Sequence, residues 1–174
     1  MLLLKRRAAV NAISQSGTPL DFAKGYRQPE AAAPPQSKRG RAGHEVSIHM
    51  AASKGDAIAV QAFIRRGIKV NTPGPLHKST PLHWAAGAGK VNTMETLISL
   101  GADIDSLSNS NATPLHQAVL RNRPEAVKLL IRSNADLNSQ NKSGYTPLDY
   151  ATANGWTELV KLLQNAGAIS GKLL

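Results

Sequence analysis

Apolar side chains recur three and four residues apart in three short segments of the chain, with polar residues between them. This spacing places them on one face of a helix and predicts three amphipathic helices. The apolar positions are Met94, Leu97 and Ile98, then Val127, Leu130 and Ile131, then Leu159, Leu162 and Leu163. Each segment is followed by a residue that tolerates the left-handed conformation of a helix end, namely Gly101, Asn134 or Gly167.

A shorter helix is predicted immediately before each amphipathic one. A threonine stands at its start, where the hydroxyl can accept a hydrogen bond from a free main-chain N–H. A proline follows at the first helical position, where a missing N–H costs nothing. Small residues come next and allow neighbouring helices to approach closely. The threonines are Thr80, Thr113 and Thr146, and the helices are predicted to end at Gly89, Asn122 and Gly155.

These helix pairs form an internal repeat. Thr80-Pro81-Leu82-His83 returns as Thr113-Pro114-Leu115-His116 and as Thr146-Pro147-Leu148-Asp149, with 33 residues from each motif to the next. A looser unit precedes them, because Ile48-His49-Met50-Ala51-Ala52 aligns with residues 82–86 at an offset of 34. Val46-Ser47 replaces the Thr-Pro pair there, so we expect this helix to lack its best cap. The predicted array 46–174 divides into units 46–79, 80–112, 113–145 and 146–174.

The repeated motif at this period resembles the ankyrin repeat. The resemblance implies an all-α solenoid of paired helices with projecting β-hairpin-like fingers. It also implies a non-catalytic protein–protein interaction module, acting as a scaffold, adaptor or inhibitor that binds a partner through its concave face. In ankyrin proteins the motif histidine braces the turn and the neighbouring unit. His49, His83 and His116 are therefore expected to be structural, with Asp149 accepting a similar bond.

Residues 1–45 carry a weaker version of the pattern. Thr18-Pro19-Leu20-Asp21-Phe22-Ala23 matches residues 146–151, but Arg7 and Arg27 stand where Gly or Asn would end a helix. Pro34-Pro35 interrupts the second helix. We interpret the segment as a degenerate ankyrin-like repeat, such as the remnant of a longer ankyrin protein, or as a disordered basic segment. The alternative is a basic, alanine-rich leader that targets an organelle and matches the repeat by chance.

The composition narrows the possible chemistry. The chain has 174 residues and no cysteine, which excludes disulfides and thiolate metal sites. Its formal net charge is +10, and the basic residues are densest in residues 1–45. No stretch approaches the roughly 20 apolar residues of a membrane span. Leu2-Leu3-Leu4 is shorter than a signal-peptide core of about 7–15 residues, so the cytoplasm is the default expectation for the compartment.

The sequence shows no catalytic signature. The motif histidines lie a full repeat apart and lack the spacing of metal ligands. Gly87-Ala88-Gly89-Lys90 lacks the full spacing of a phosphate-binding loop, and we interpret it as a helix end. We therefore expect no enzyme activity, no cofactor and no metal. His77 differs from the motif histidines because it lies in an irregular finger, where we expect it to be exposed.

The resemblance also indicates where a partner would bind, since ankyrin proteins use the finger tips and the exposed face of the first helix. The candidate partner-binding residues at these positions are Lys54, His77, Ser79, Ser110, Leu120, Arg121, Lys142, Tyr145 and Asn154. Trp84 and Tyr150 share one position inside the first helix, and we assign both to packing between repeats. We assign Trp156 to covering the open end of the core.

The expected partner is another protein, and the positive charge favours an acidic one, bound by a monomer of this chain. One alternative is nucleic-acid or anionic-surface binding through the basic surface, although 4% aromatic residues leave few platforms for base stacking. Another is a regulatory fragment of a larger enzyme whose catalytic domain lies upstream of Met1. Arg65, Arg66 and Lys128 are expected on the solvated outer face of the second helices.

Overall fold

The computed structural model describes residues 47–75 and 77–171, and within them the chain forms eight α-helices in four pairs, which we number repeats 1 to 4. The first helices are α1 (Ile48–Lys54), α3 (Pro81–Ala88), α5 (Pro114–Leu120) and α7 (Pro147–Ala153). The second helices are α2 (Ala57–Arg65), α4 (Val91–Ser99), α6 (Pro124–Arg132) and α8 (Thr157–Asn165). These residues contain no β-strand, so the described fold is the predicted all-α repeat solenoid. The segment interpreted as a degenerate repeat, 1–45, lies outside the described residues.

The helices stack in chain order. Each first helix packs against the first helix of the next repeat and against the second helix of its own pair. The second helices form a parallel stack behind them, α2 on α4, α4 on α6 and α6 on α8. Alanines fill the contacts between first helices and are fully or almost fully buried, as at Ala52, Ala86 and Ala118. Their small side chains allow the close approach that holds the repeats at a fixed spacing.

The helix starts depend on short polar side chains. Thr113 and Thr146 adopt extended backbone conformations, and their hydroxyls accept the N–H of the residue three positions later. The first repeat differs from the others. It lacks the proline, but Ser47 takes the capping position of α1 and its hydroxyl accepts from the Met50 N–H at 3.2 Å. The helix thus lacks the Thr-Pro pair, as expected, but it is still capped, because a serine hydroxyl accepts the same kind of bond as a threonine hydroxyl.

The helix ends follow the predicted stops. A left-handed residue terminates each predicted helix, with φ near 50° and 60° at the two asparagines, Asn122 and Asn134. The glycines at the other predicted stops also have positive φ: Gly89, Gly101, Gly155 and Gly167. Asparagine substitutes for glycine here because its short polar side chain tolerates this region of backbone space.

The core is a continuous apolar layer between the two helix stacks. One position of the second helix is fully buried in three successive repeats, at Leu97, Leu130 and Leu163. The equivalent residue of the first repeat, Phe63, is only partly buried against this core. Interior repeats are therefore packed on both sides, and Leu130 in repeat 3 has a buried leucine at the same position in each neighbouring repeat.

We predict that Leu130→Ala lowers the free energy of unfolding by about 2–5 kcal/mol, the usual cost of truncating a fully buried leucine. The control is Leu100→Ala, because Leu100 is 40% exposed. That change should cost clearly less than the change at Leu130, since part of the Leu100 side chain already lies in solvent. Urea titrations followed by circular dichroism measure both values. Equal midpoints for the wild type and Leu130→Ala would contradict the packing.

A ladder of side-chain bonds ties the roots of successive fingers together. The Asn71 side-chain oxygen accepts the Asp103 main-chain N–H at 2.9 Å. One repeat later Asp105 accepts the Asp136 N–H at 2.9 Å, and Asn138 then accepts the Ile169 N–H at 2.8 Å. Asp105 is thus the charged member of a series of amides. Its partial burial raises its pKa, and so do the nearby charges of Asp136 and Asp103, although the Asp136 N–H opposes this.

We predict that Asp105→Asn stabilises the protein by about 0.2–1 kcal/mol at pH 7, the scale of exposed charge interactions. The amide keeps the oxygen that accepts the bond and removes the repulsion from Asp103 and Asp136. A carboxyl whose pKa is raised by folding loses stability as the pH rises, so the gain should vanish below about pH 4. Asn138→Asp is the matched control and should destabilise at pH 7. A variant no more stable than the wild type at pH 7 would contradict the argument.

Candidate partner-binding groove

Each motif histidine braces the finger that follows its helix. In repeat 2, His83 Nδ1 accepts the Thr80 main-chain N–H at 3.1 Å, so the ring proton lies on Nε2. Nε2 therefore donates to the Ala112 carbonyl, which lies 2.9 Å away at the end of the finger. The neutral ring thus closes the helix start and fixes the finger with one side chain.

Repeat 3 has the same arrangement. His116 Nδ1 accepts from the Thr113 N–H at 3.1 Å, and Nε2 donates to the Tyr145 carbonyl at 3.1 Å. In repeat 1, His49 Nε2 lies 2.8 Å from the Thr72 carbonyl, a different point of its longer finger. The motif histidines are therefore structural, as the sequence predicted, and in His83 and His116 the fold uses both ring nitrogens.

Asp149 occupies the histidine position in repeat 4 and has the opposite hydrogen-bonding role toward the segment that follows, since it accepts where the histidines donate. Its carboxylate accepts the Thr146 N–H at 2.8 Å, the Gly171 N–H at 2.9 Å and the Ser170 hydroxyl at 2.6 Å. Burial alone would raise its pKa, but the bonds from Ser170, Thr146 and Gly171 outweigh burial and lower it. The terminal segment offers N–H and O–H donors at this point, and a carboxylate is the side chain that can accept them.

Burial lowers the pKa of His83 and of His116 below the ordinary value of 6.5, although the bond to each finger carbonyl opposes the shift. The unfolded chain then binds protons more readily than the folded one. We predict that stability is complete above pH 6.5 and falls as the pH drops below it, by at most about 1.4 kcal/mol per pH unit for each histidine. Urea titrations between pH 7.5 and 5 measure the slope.

His116→Gln should remove part of that slope while keeping a side chain that can hydrogen-bond. The imidazole resonances of the wild type provide an independent check, since they titrate with the folded-state pKa values. A stability that is flat between pH 7.5 and 5 would contradict the buried neutral rings.

The fingers form a second row in front of the first helices. Each finger is closed by one main-chain bond, Gly74 N–H to Ser79 O, Ser108 N–H to Ala112 O and Asn141 N–H to Tyr145 O. Neighbouring fingers are joined by the Asn109 N–H to the His77 carbonyl at 2.8 Å and by the Lys142 N–H to the Ser110 carbonyl at 2.9 Å. The row of tips is therefore held in place by the main chain.

A groove of about 800 Å³ runs between this row and the first helices. It receives side chains from the first helices of repeats 1 to 3 and from the fingers facing them. The described residues that line it are Ser53, His77, Ser79, His83, Trp84, Gly87, Ala88, Ser108, Asn109, Ser110, Gln117, Leu120, Arg121, Arg123 and Lys142. Three of these carry a positive charge and none carries a carboxylate, so the groove presents a positive surface with an apolar floor.

The structure brings six of the nine candidate partner-binding residues to this groove: His77, Ser79, Ser110, Leu120, Arg121 and Lys142. The other three lie elsewhere. Lys54 is exposed in the last turn of α1. The Tyr145 ring packs on Tyr150 with ring centres 5.8 Å apart, and the Asn154 side chain donates to the Tyr150 carbonyl at 2.8 Å.

Trp84 departs from its predicted role. Its side chain is 47% exposed and lines the groove, so its assignment to packing between repeats was wrong. Tyr150, at the same helix position, is partly buried against the core as predicted. Sequence reasoning also missed Arg123, whose Nε donates to the Gly87 carbonyl of the preceding repeat at 3.3 Å. The sequence signal that could have found Trp84 and Arg123 is their position within the repeat unit, because that position fixes which face of the array a residue occupies.

The outer face differs from the groove in its charge balance. Lys128 on α6 forms an ion pair with Glu125 at 2.7 Å and approaches Glu158 on α8 at 4.0 Å. The hydrogen bond that Lys128 donates to Glu125 raises the pKa of Lys128. Arg65 and Lys161 are also exposed on second helices.

Over the described residues, no three His, Asp or Glu side chains are grouped as metal ligands would be, and no helix is long and apolar enough to cross a membrane.

The family of this chain follows from a comparison with family profiles. The profile described as "Ankyrin repeats (3 copies)" matches residues 48–141 and 105–171. The two matches together span all four helix pairs of the described structure. The chain therefore belongs to the ankyrin repeat family, whose members generally serve as protein–protein interaction modules and are typically non-catalytic.

Proposed function

We propose that this protein is a non-catalytic scaffold, adaptor or inhibitor that binds a partner protein, as a monomer, across its fingers and first helices. The observation that supports the proposal best is the groove, which crosses three repeats and combines exposed apolar side chains with charge of one sign. The residues proposed to contact the partner are Lys54, His77, Ser79, Ser110, Leu120, Arg121, Lys142, Tyr145 and Asn154.

The charge of the groove favours an acidic partner surface. Among the described residues, ion pairs are formed by Lys128 on the outer face, so Arg121 and Lys142 keep their charge without a carboxylate partner. A partner carboxylate would form charge-assisted bonds with these groups, and the positive surface would speed the encounter. His83 does not offer chemistry in this site, because the fold uses both of its ring nitrogens.

The test begins with identification of the contact surface. A photo-reactive amino acid is placed at Ser110 in the groove or at Gln164, which is exposed on α8. Proteins of the source cell that cross-link at position 110 and not at 164 are carried into binding measurements with the purified full-length chain.

We predict that Arg121→Glu with Lys142→Glu weakens binding of such a protein by about tenfold or more at physiological salt. The matched control is Arg65→Glu with Lys161→Glu, which changes the total charge by the same amount on the outer face. It should change the affinity little, because exposed charges more than about 8 Å apart are largely screened at this salt. Lys128 is unsuitable for the control, since its ion pair with Glu125 would be broken.

Two results would contradict the proposal. If the outer pair abolishes binding and the groove pair leaves it intact, the groove is not the binding surface. If random duplex DNA binds and competes with the protein partner, with a steep dependence on salt, general attraction to polyanions becomes the better account.

A further inference from the structure

The groove contains a notch in its floor at Gly87. A methyl group added there would meet Arg121 Cγ and Gln117 Cβ at 3.7 Å, which is ordinary contact, so the glycine leaves a recess about the size of one methyl group against the next repeat. The same helix position carries Ser53, Leu120 and Ala153 in the other repeats. Among the four repeats, only repeat 2 has a glycine at this position, and the next residue, Ala88, is also small.

Two large apolar side chains share the groove lining with Gly87. Trp84 on α3 is 47% exposed, and Leu120 on α5 is 43% exposed. Exposed apolar side chains in the same groove as a small residue can bury one bulky apolar group of a partner, which is typical of an interface hot spot.

Positive charge adjoins the notch. Arg121 is the next residue after Leu120, and Lys142 enters from the finger of repeat 3, with both in the groove lining. The first helices that line the groove are α1, α3 and α5. With about 8–10 Å between packed helices, they span roughly 20 Å. A chain extended at about 3.3 Å per residue covers that distance with about six residues.

We propose that the occupant of this groove is an extended acidic segment of the partner, about six residues long, with one bulky apolar side chain. The apolar side chain seats over Gly87 between Trp84 and Leu120, and carboxylates meet Arg121 and Lys142. This inference rests on the proposed function and specifies its partner. The basic segment 1–45 of the same chain, with eight basic and three acidic residues, has the wrong charge to be the occupant.

The experiment selects eight-residue peptides from a random display library against the full-length protein and measures their affinity by fluorescence anisotropy. The selected peptides should combine acidic residues with one aromatic or large aliphatic residue. Gly87→Leu should weaken their binding by about tenfold or more, because it fills the notch. The control is Ala153→Leu, which makes the same side chain at the same helix position in repeat 4, outside the groove lining, and should leave affinity within about twofold.

A second variant tests the same site independently, in case Gly87→Leu does not fold. Trp84→Gln introduces the residue that repeat 3 carries at the same position, Gln117, and should weaken the same peptides while thermal unfolding stays cooperative. Arg121→Glu should weaken them as well.

The remaining outcomes separate the two proposals. Acidic peptides that lose affinity with Arg121→Glu but not with Gly87→Leu or Trp84→Gln would overturn the apolar anchor and leave the groove as the binding surface. Peptides unaffected by all three variants would overturn the groove itself. Selection of basic peptides, of no peptide, or displacement of the peptides by random duplex DNA would overturn the acidic-segment inference.

Discussion

The bond from a buried imidazole to a finger carbonyl is the interaction on which the rest of this molecule depends. In repeats 2 and 3 the ring accepts the N–H that begins its own helix and donates to the carbonyl that ends its finger, Ala112 or Tyr145. The residue after each carbonyl is the threonine that begins the next helix. One ring therefore sets the helix start, the finger and the entry of the following repeat.

This bond requires a neutral ring with a defined tautomer. Burial favours the neutral form, and the threonine N–H places the proton on Nε2. The position of the groove depends on it together with the main-chain bonds between fingers, because the ring holds the last carbonyl of the second and third fingers. The partner-binding surface and the stability of the array are thus two results of the same contacts.

The parts of the fold that depend on local chemistry were predictable from the sequence. Thr113 begins a helix and Asn122 ends one because of properties of those residues and their immediate neighbours. The exposed surface was less predictable. Trp84 and Tyr150 share a helix position, yet Tyr150 packs on Tyr145 and stands edge-on to His116, whereas Trp84 faces the groove. Whether the side chain at this position packs or stays exposed depends on the residues of the neighbouring repeat, and the motif of one repeat does not specify those residues.

The side chains at the groove illustrate the same limit. Leu120 and Arg121 were predicted to face a partner because the first helix has a known exposed face in this family. The notch was not predicted. A glycine in the sequence does not by itself show whether its missing side chain leaves a recess, and the neighbours of Gly87, Arg121 and Gln117, come from another repeat.

Asp149 shows that the position of the motif histidine is matched to the segment that it meets. Its carboxylate accepts the N–H of Gly171 and the hydroxyl of Ser170, whereas the histidine of repeats 2 and 3 donates to a carbonyl. A carboxylate set against a finger carbonyl would bring two acceptors together without a proton between them. Repeats 3 and 4 therefore cannot exchange this side chain alone, and the smallest interchangeable unit of the array is a helix pair together with the finger that follows it.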